Sequence, residues 1–260
     1  MINKYLTEMH LHTKETSNCG KMPAAETVES YISLGYNTIV VTDHFSTHSY
    51  YKYNYDSLNW QDKVDIFLKG FNSAKEAANG RINILLGMEL RFDSDSDPND
   101  YLVYGVEESF LRDNKDLLNM NISSFSALAQ KNGLMIYQAH PFRFGMKITN
   151  VKYLDGIEVC NRNIEHDSHN DIAALWAEKF GLKKTAGSDH HQKGNEGLAG
   201  IISRREITSN KILLDTLANQ DYTLYEKSSE ISQSFLILSC RLNSGRKIRH
   251  IIVNRNKESK

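Results

Sequence analysis

Pairs of metal-binding side chains stand at two places far apart in the 260-residue chain. His10 and His12 end one apolar stretch, and Asp189 and His191 follow another. Because side chains of an extended strand alternate sides with a period of two, each pair points to one side of its strand. Imidazole and carboxylate ligands together suit Zn, Mn or Fe better than Mg or Ca alone. The two pairs therefore indicate a metal site.

Further polar side chains accompany the apolar runs between these two pairs: Asp43, His44, Glu89, His140 and Glu158. A single histidine behind a strand is usually structural. In a closed α/β barrel, however, the ends of successive parallel strands meet on one face, where active sites are built. We therefore predict that these residues converge on a site with more than one metal ion. We expect four other histidines to lie outside it: His48, His166, His169 and His250.

The overall composition is that of an ordinary globular protein and excludes a disordered or fibrous chain. The chain carries 31 Lys and Arg against 32 Asp and Glu, and 40% of its residues are apolar. Three distant cysteines without a CxxC motif favour a reducing compartment, so a cytoplasmic location is expected. No apolar run reaches the roughly 18 residues that a membrane span requires.

Short apolar runs alternate with amphipathic ones along most of the chain. Strands are predicted at 5–11, 38–42, 82–86, 101–106, 135–138, 157–159 and 184–186, and helices at 24–34, 61–79, 123–133, 166–180 and 210–219. This alternation indicates βα units around a parallel sheet, and so many consecutive units favour a closed barrel over an open doubly wound sheet. No GxGxxG or GxxxxGK[ST] motif follows a predicted strand, which argues against dinucleotide and P-loop folds.

The C-terminal stretch differs from the rest in charge. Residues 241–260 hold seven Lys or Arg and one Glu, and strands predicted at 235–240 and 247–253 flank a turn at 243–245. Such a basic hairpin is either a solvated edge that resists aggregation or a patch that attracts phosphate. We therefore expect a barrel domain over 1–221 and a C-terminal extension over 222–260.

Five motifs, taken in order, resemble those of the PHP family, the polymerase and histidinol phosphatase superfamily of metal-dependent phosphoesterases. They are EMHLHT at 8–13, VTDH at 41–44, GME at 87–89, QAHP at 138–141 and AGSDHH at 186–191. The resemblance covers roughly residues 5–205 and implies an α/β fold, the distorted (β/α)7 barrel that is TIM-like and holds up to three metal ions.

The resemblance also implies which residue binds which metal. The first metal would be bound by His10, His12 and Asp189, and Glu89 would bridge it to the second metal. The second would be bound by His140, and the third by His44 and His191.

Two positions depart from the family pattern. Many members carry Asp or His five or six residues after the HxH motif, where this chain has Ser17 and Asn18. Glu15 is the nearest strong ligand, and we expect it to substitute. Many members also carry a histidine at the start of the strand after the Glu motif. Asp100 stands there, and we expect it on the second metal.

These expectations favour a phosphoesterase that uses two or three divalent ions of Zn, Mn or Fe. The metals would activate water, Arg143 and Arg162 would hold the phosphate, and Asp43 would orient an imidazole. The tyrosine-rich loop at 50–55 would cover the site or pack on the surface. The expected substrate is a phosphate monoester of a small metabolite or nucleotide, and no membrane or obligate protein partner is expected.

Three other functions stay open at this point. The chain could be a 5′–3′ exonuclease that acts on short oligonucleotides, or a nucleoside-bisphosphate phosphatase of the same family. It could be an amidohydrolase, since those enzymes also begin a barrel with HxH and end it with Asp. It could also be a metal-binding module without catalysis.

Overall fold

The computed structural model describes residues 4–50, 52–93 and 98–227. Within them the chain has a mixed α/β fold. The strands are β1 Tyr5–Glu8, β2 Thr38–Val41, β3 His44–Phe45, β4 Asn83–Leu86, β5 Met88–Leu90, β6 Tyr101–Tyr104, β7 Met135–Gln138, β8 Gly156–Asn161, β9 Lys183–Gly187, β10 Ala199–Ser203 and β11 Tyr222–Glu226. The helices are α1 Ala24–Ser33, α2 Trp60–Ala78, α3 Glu108–Asp113, α4 Ile122–Lys131, α5 Asn170–Phe180 and α6 Asn210–Asn219.

The strands form two sheets, in the orders β11-β10-β1-β2-β4 and β3-β5-β6-β7-β8-β9. The expected all-parallel arrangement is wrong, because β6 is antiparallel to both β5 and β7, and β10 is antiparallel to both β1 and β11. A parallel neighbour needs a long crossover connection, usually a helix. Only the loop 91–100 separates β5 from β6, so β6 returns beside β5 in the opposite direction.

The two sheets are connected at two places. β2 and β4 pair in the first sheet, and the same two chain segments pair again as β3 and β5 in the second. At the other margin Leu11, just after β1, forms a parallel bridge with His190, just after β9. The N–H of His12 donates to the carbonyl of His190 at 3.0 Å, so the ends of β1 and β9 lie side by side.

Helices cover both sheets and bury their apolar residues. α2 and α4 pack on the second sheet through Phe67 and Phe125, and α1 packs on the first through Val28 and Tyr31. All four residues of β6 and of β7 are buried, as expected for strands covered on both faces. No helix among the described residues is long and apolar enough to cross a membrane.

Several element boundaries differ from the expectations in ways that matter for the site. α5 begins at Asn170, so His166 lies in the loop after β8. β8 extends over Gly156–Asn161 and includes both Glu158 and Asn161. The sequence pattern missed α3 and four strands: β3, β5, β10 and β11. β11 pairs with β10 in the first sheet, just past the expected boundary at residue 221, and the predicted basic hairpin lies outside the described residues.

Candidate metal centre

Four fully buried side chains from three distant parts of the sequence converge at the ends of β1, β5 and β9. We call them the inner group: His10, His12, Glu89 and Asp189. The Nε2 atom of His12 lies 3.1 Å from Nε2 of His10, 3.2 Å from Glu89 Oε2 and 3.3 Å from Asp189 Oδ1. Ligands about 2.0–2.2 Å from a tetrahedral metal ion stand roughly 3.3–3.6 Å from one another, so these separations are close to those around a shared cation.

Glu8 holds together the two strand ends that carry these ligands. Its Oε1 atom accepts from the backbone N–H of His10 and from that of Ser188, each at 2.9 Å, while Oε2 accepts from the Tyr31 hydroxyl. Burial raises the pKa of Glu8 despite these donors. One buried carboxylate thus holds the backbone N–H of His10, at the end of β1, next to the backbone N–H of Ser188, which precedes Asp189.

The carboxylate of Glu158 orients His10. Oε1 lies 3.0 Å from His10 Nδ1, and Oε2 accepts from the backbone N–H of His140 and from Asn161 Nδ2, both at 2.9 Å. Because Nδ1–H of His10 donates to this carboxylate, Nε2 of His10 keeps its lone pair for a metal. The sequence predicted that Glu158 converges on the site with the candidate ligands, and the structure places it behind His10 as the residue that orients this imidazole.

Asp43 acts on His12 through Ser17. The Ser17 hydroxyl donates to Asp43 Oδ1 at 2.6 Å and lies 3.2 Å from His12 Nδ1. Because its proton is used toward Asp43, its oxygen accepts a hydrogen bond from the Nδ1–H of His12. Thr13 donates its N–H and its hydroxyl to Asp43, both at 2.7 Å. Burial raises the pKa of Asp43 to about 6. Asp43 touches no imidazole directly, and His12 is left with Nε2 free to bind metal.

His140 and Asp100 adjoin the inner group on one side. His140 Nε2 lies 3.1 Å from Glu89 Oε1 and 3.8 Å from Asp100 Oδ2. Asp100 is also held by Arg91 through two hydrogen bonds of 2.6 Å, and Arg143 lies 3.4 Å from it. The Asp100 carboxylate is therefore shared between the ligand cluster and two guanidinium groups. Arg91 follows β5 directly, and no motif in the sequence marks it as a site residue.

Three less buried side chains adjoin the inner group from loops or a loop edge, and one of them, His44, also lies within 4.8 Å of ligand atoms of Glu89 and Asp100. We call them the outer group: Cys19, His44 and His191. His44 Nδ1 lies 3.0 Å from Glu89 Oε2, and His191 Nε2 lies 3.0 Å from Asp189 Oδ1. The Cys19 sulfur lies within 4.8 Å of ligand atoms of His12 and His44. Sequence reasoning missed Cys19, although a thiol seven residues after His12 was the signal available.

His166 also reaches the site, contrary to expectation. Its Nε2 atom lies 3.6 Å from Asp189 Oδ2, and its ring centroid is 5.7 Å from that of His140. The helix was expected to begin at His166, but the chain stays in a loop until Asn170 and turns this side chain toward Asp189. His166 reaches the site because α5 begins four residues later than expected, and helix boundaries are poorly defined by local sequence pattern.

Two predicted site residues are engaged elsewhere. Both carboxylate oxygens of Glu15 accept from the backbone N–H of Ala24 at the start of α1, at 3.1 and 3.0 Å, and Glu15 belongs to none of the ligand groups found among the described residues. Arg162 pairs with Glu226 on β11 at 2.9 Å.

In the tyrosine-rich loop, Tyr50 is fully buried in the core and Tyr53 is exposed beside Lys69.

The charges of the site are balanced between imidazoles and carboxylates. Burial alone would raise the pKa of Glu89, but His44 and His10 hold it well below its usual range. Burial alone would lower the pKa of His10, but Asp189, Glu158 and Glu89 raise it well above its usual range. Burial also opposes ionisation of Cys19, yet His12, His191 and His44 lower the pKa of its thiol to about 5. Such perturbed groups cluster at functional sites.

Buried imidazole nitrogens without hydrogen bonds provide a test of whether these residues fit metal ions. Among the described residues, Nε2 of His166 and Nε2 of His191 have no hydrogen bond of good geometry, although both face Asp189, at 3.6 and 3.0 Å. Buried polar atoms normally have a partner, and exceptions in a cluster of His, Cys, Asp and Glu are expected of ligands. Together with the separations in the inner group, they fit divalent metal ions.

The model of the PHP domain family matches residues 8–235. No curated protein sequence matches the chain significantly. Three solved structures are similar to it in fold, each at about the same low sequence identity.

The structure of PsfC from Pseudomonas syringae has 15% identity and a TM-score of 0.65, and the match covers 91% of this chain and 96% of PsfC. A Bifidobacterium adolescentis protein, assigned by inference as a metal-dependent phosphoesterase, has 15% identity and a TM-score of 0.50, with 87% and 98% covered. An amidohydrolase from Chromobacterium violaceum with bound sulfate has 16% identity and a TM-score of 0.51, with 73% and 89% covered.

Proposed function

The chain belongs to the PHP domain family, and from that premise we propose that it hydrolyses phosphate monoesters of a small metabolite or nucleotide with two or three divalent metal ions. Family membership and the ligand clusters support a metal-dependent hydrolase. The observation that carries the finer proposal is the convergence of His10 and His12, 3.1 Å apart, with Glu89 and Asp189, each of which lies 3.2–3.5 Å from both imidazoles.

The residues divide naturally among the ions. We assign the first ion to His10, His12 and Asp189, with Glu89 shared with a second ion beside His140. Asp100 is a candidate ligand of the second ion, in competition with Arg91. The outer group adjoins a third position. We choose Zn, Mn or Fe, because mixed imidazole and carboxylate ligands favour these metals.

Phosphate ester hydrolysis suits this site because positive charge is concentrated at its edge. Divalent ions, when bound, lower the pKa of water and neutralise phosphoryl oxygens. Arg91 and Arg143, both partly exposed, contact the carboxylate of Asp100 next to the cluster. A guanidinium can donate two hydrogen bonds to one phosphate, so we assign these two side chains to phosphate binding. Arg162 is the weaker candidate because its partner, Glu226 on β11, lies outside the ligand cluster, whereas Asp100 adjoins it.

We also propose that the two sheets together form a distorted (β/α)7 barrel. Two connections support it: the continuation of the β2–β4 pair as β3–β5, and the bridge between Leu11 and His190. The short antiparallel segments at β6 and β10 would account for the distortion. In a barrel of this kind the ligand-bearing strand ends all face one mouth, which agrees with the convergence of the inner group.

Phosphate release from defined substrates tests the function. The full-length protein is stripped of metal, reconstituted with Zn, Mn or Fe, and assayed on phosphorylated metabolites, nucleotides, 5′-phosphorylated oligonucleotides and cyclic amides. We expect release of inorganic phosphate from at least one small monoester. His12→Ala should abolish it, whereas His169→Ala, on an exposed loop, should not.

Each other outcome favours a different function or none. Cleavage of oligonucleotides alone would favour the exonuclease, and cleavage of cyclic amides alone would favour the amidohydrolase. If metal-loaded protein leaves every phosphate ester intact, or if His12→Ala is as active as the unchanged chain, the proposal is overturned.

A further inference from the structure

We propose that Cys19 is a thiolate ligand of a metal ion that it holds together with His44 and His191. This position would then be a softer site than the one formed by imidazoles and carboxylates beside it. The inference rests on the proposed metal-dependent function and adds the identity of one ligand and the metal preference that follows from it.

The three side chains face one another across the outer flank of the centre. The Cys19 sulfur and the ligand atoms of His12 and His44 all lie within 4.8 Å of one another. His191 and His44 both act on the thiol, since each lowers the pKa of Cys19 and Cys19 in turn raises the pKa of both imidazoles. His191 in turn contacts Asp189, and His44 contacts Glu89, so the outer group adjoins the inner group through two carboxylates.

The loop that carries Cys19 is tied to its surroundings on three sides. The N–H of Lys21 donates to the carbonyl of His191 at 2.7 Å, which binds the loop to the backbone of another outer residue. Thr16 accepts from the N–H of Gly70 at 2.9 Å and donates to the carbonyl of Phe67 at 3.0 Å, both on α2. A side chain at position 20 would place its Cβ 2.5 Å from the Thr13 carbonyl oxygen, so glycine is required for the loop to close.

Neighbouring side chains that could replace the thiol are engaged elsewhere. Glu15 caps α1 at Ala24, and the amide of Asn18 donates to the carbonyl of His48. Ser17 is committed to Asp43 and His12. Ser17 also accepts from the backbone N–H of His44, which leaves Cys19 as the thiol of the loop 13–22 that faces the His44 imidazole.

A thiolate changes which metal the position prefers. Cysteine sulfur is a soft ligand that selects Zn over Mg or Mn, and with two imidazoles it leaves a tetrahedral ion one open position. The inner group offers two imidazoles and two carboxylates and is less selective. We therefore expect the two parts of the centre to differ in metal preference, with sulfur confined to the outer one.

Cobalt absorption tests the ligand directly, without reference to activity. Co(II) replaces Zn in such sites, and a thiolate bound to it gives a sulfur-to-cobalt charge-transfer band in the near ultraviolet. The full-length chain is titrated with Co(II), together with Cys19→Ser, Cys19→Asp and two matched controls, Cys160→Ser and Cys240→Ser. Cys160 is buried on β8 against Ala186 and Ala199 and is not in a ligand group of the described residues.

We expect the band in the unchanged chain and in both control variants, and its loss in both Cys19 variants. Elemental analysis should show one metal ion fewer per chain in Cys19→Ser. Cys19→Asp should keep that ion without the band and prefer Mn over Zn relative to the unchanged chain. Zinc should also slow alkylation of Cys19, measured by mass spectrometry of the modified peptide. Circular dichroism verifies that each variant is folded.

The outcomes separate this inference from the proposed function. Visible cobalt bands without a charge-transfer band would overturn the thiolate ligand and leave metal binding intact. The same holds if the band persists in Cys19→Ser or disappears in a control variant. If the folded chain binds no cobalt, zinc or manganese at all, both the proposed function and the thiolate ligand are overturned.

Discussion

The inner and outer groups differ in burial and in what positions them. The side chains of His10, His12, Glu89 and Asp189 are at most 2% exposed, whereas those of His44 and His191 are 23% and 12% exposed. Each inner imidazole has its Nδ1 atom tied to a buried partner, Glu158 for His10 and Ser17 for His12. In the outer group, loop contacts such as that between Lys21 and the His191 carbonyl supply the positioning.

This difference indicates a division between tight binding and exchange. Electrostatic interactions are stronger in a buried site than in one open to water, and fixed imidazoles lose little freedom when they bind metal. We therefore expect the inner group to hold its ion more tightly. The outer group lies at the solvent side and should release its ion first when a chelator is added.

The largest effect should come from removing a ligand of the inner group. Asp189→Asn leaves a neutral amide opposite His10 and His12, and it should lower metal affinity by more than the about 10–100-fold typical of residues that only orient a ligand. His191→Ala should affect the outer ion alone. Competition with a chromophoric chelator measures both affinities.

Asp167→Asn is the control for Asp189→Asn, because Asp167 is exposed and pairs with His169. Equal losses of affinity for Asp189→Asn and His191→Ala would remove the distinction between the two groups.

Changing the residue that orients His10 should have the next largest effect. Glu158→Gln keeps the shape but removes the charge that holds the Nδ1 proton, and we expect an about 10–100-fold loss of inner metal affinity. The outer cobalt band should be unchanged, since Glu158 contacts no outer residue in the described structure.

The exposed Glu178→Gln, on α5, is the matched control for Glu158→Gln. An unchanged inner affinity in Glu158→Gln would show that the carboxylate of Glu158 does not set the orientation of His10.

Packing behind His12 should matter for stability more than for binding. Gly70 on α2 leaves room for Asp43, because a Cβ there would lie 2.3 Å from Asp43 Oδ2 and 2.0 Å from Thr13 Oγ1. Gly70→Ala should therefore lower the free energy of unfolding by about 1–3 kcal/mol, as overpacking typically does. Chemical denaturation of the metal-free protein measures it, with Asn72→Ala on the exposed side of α2 as control.

The smallest effect is expected at Glu15. Its carboxylate accepts from Ala24 at the N-terminus of α1, where a negative charge contributes about 0.3–1 kcal/mol. Glu15→Gln should cost no more than that in unfolding free energy and should leave metal stoichiometry unchanged. Loss of a metal ion in this variant, measured by elemental analysis, would return Glu15 to the ligand set.

Some features of the site follow from local sequence alone. The period of two in an extended strand places His10 and His12 on one side, and the position of Glu89, His140 and Asp189 after apolar runs predicts that they converge. The helix over 210–219 was also predicted with its observed bounds. These features depend on neighbours in the chain, whose geometry is nearly independent of the rest of the fold.

Other features depend on contacts between distant segments. Cys19 faces His44 and His191 because its loop is bonded to His191 and to α2, and Glu158 reaches His10 across 148 positions of sequence. The antiparallel direction of β6 and the hydrogen bond from Ala24 to Glu15 likewise depend on which segments pack together. A loop adopts the conformation that satisfies its polar groups against whatever packs beside it, and no periodicity encodes that neighbour. The sequence by itself therefore determined the strand-end ligands, and the tertiary structure decided what orients them and which loop residue joins them.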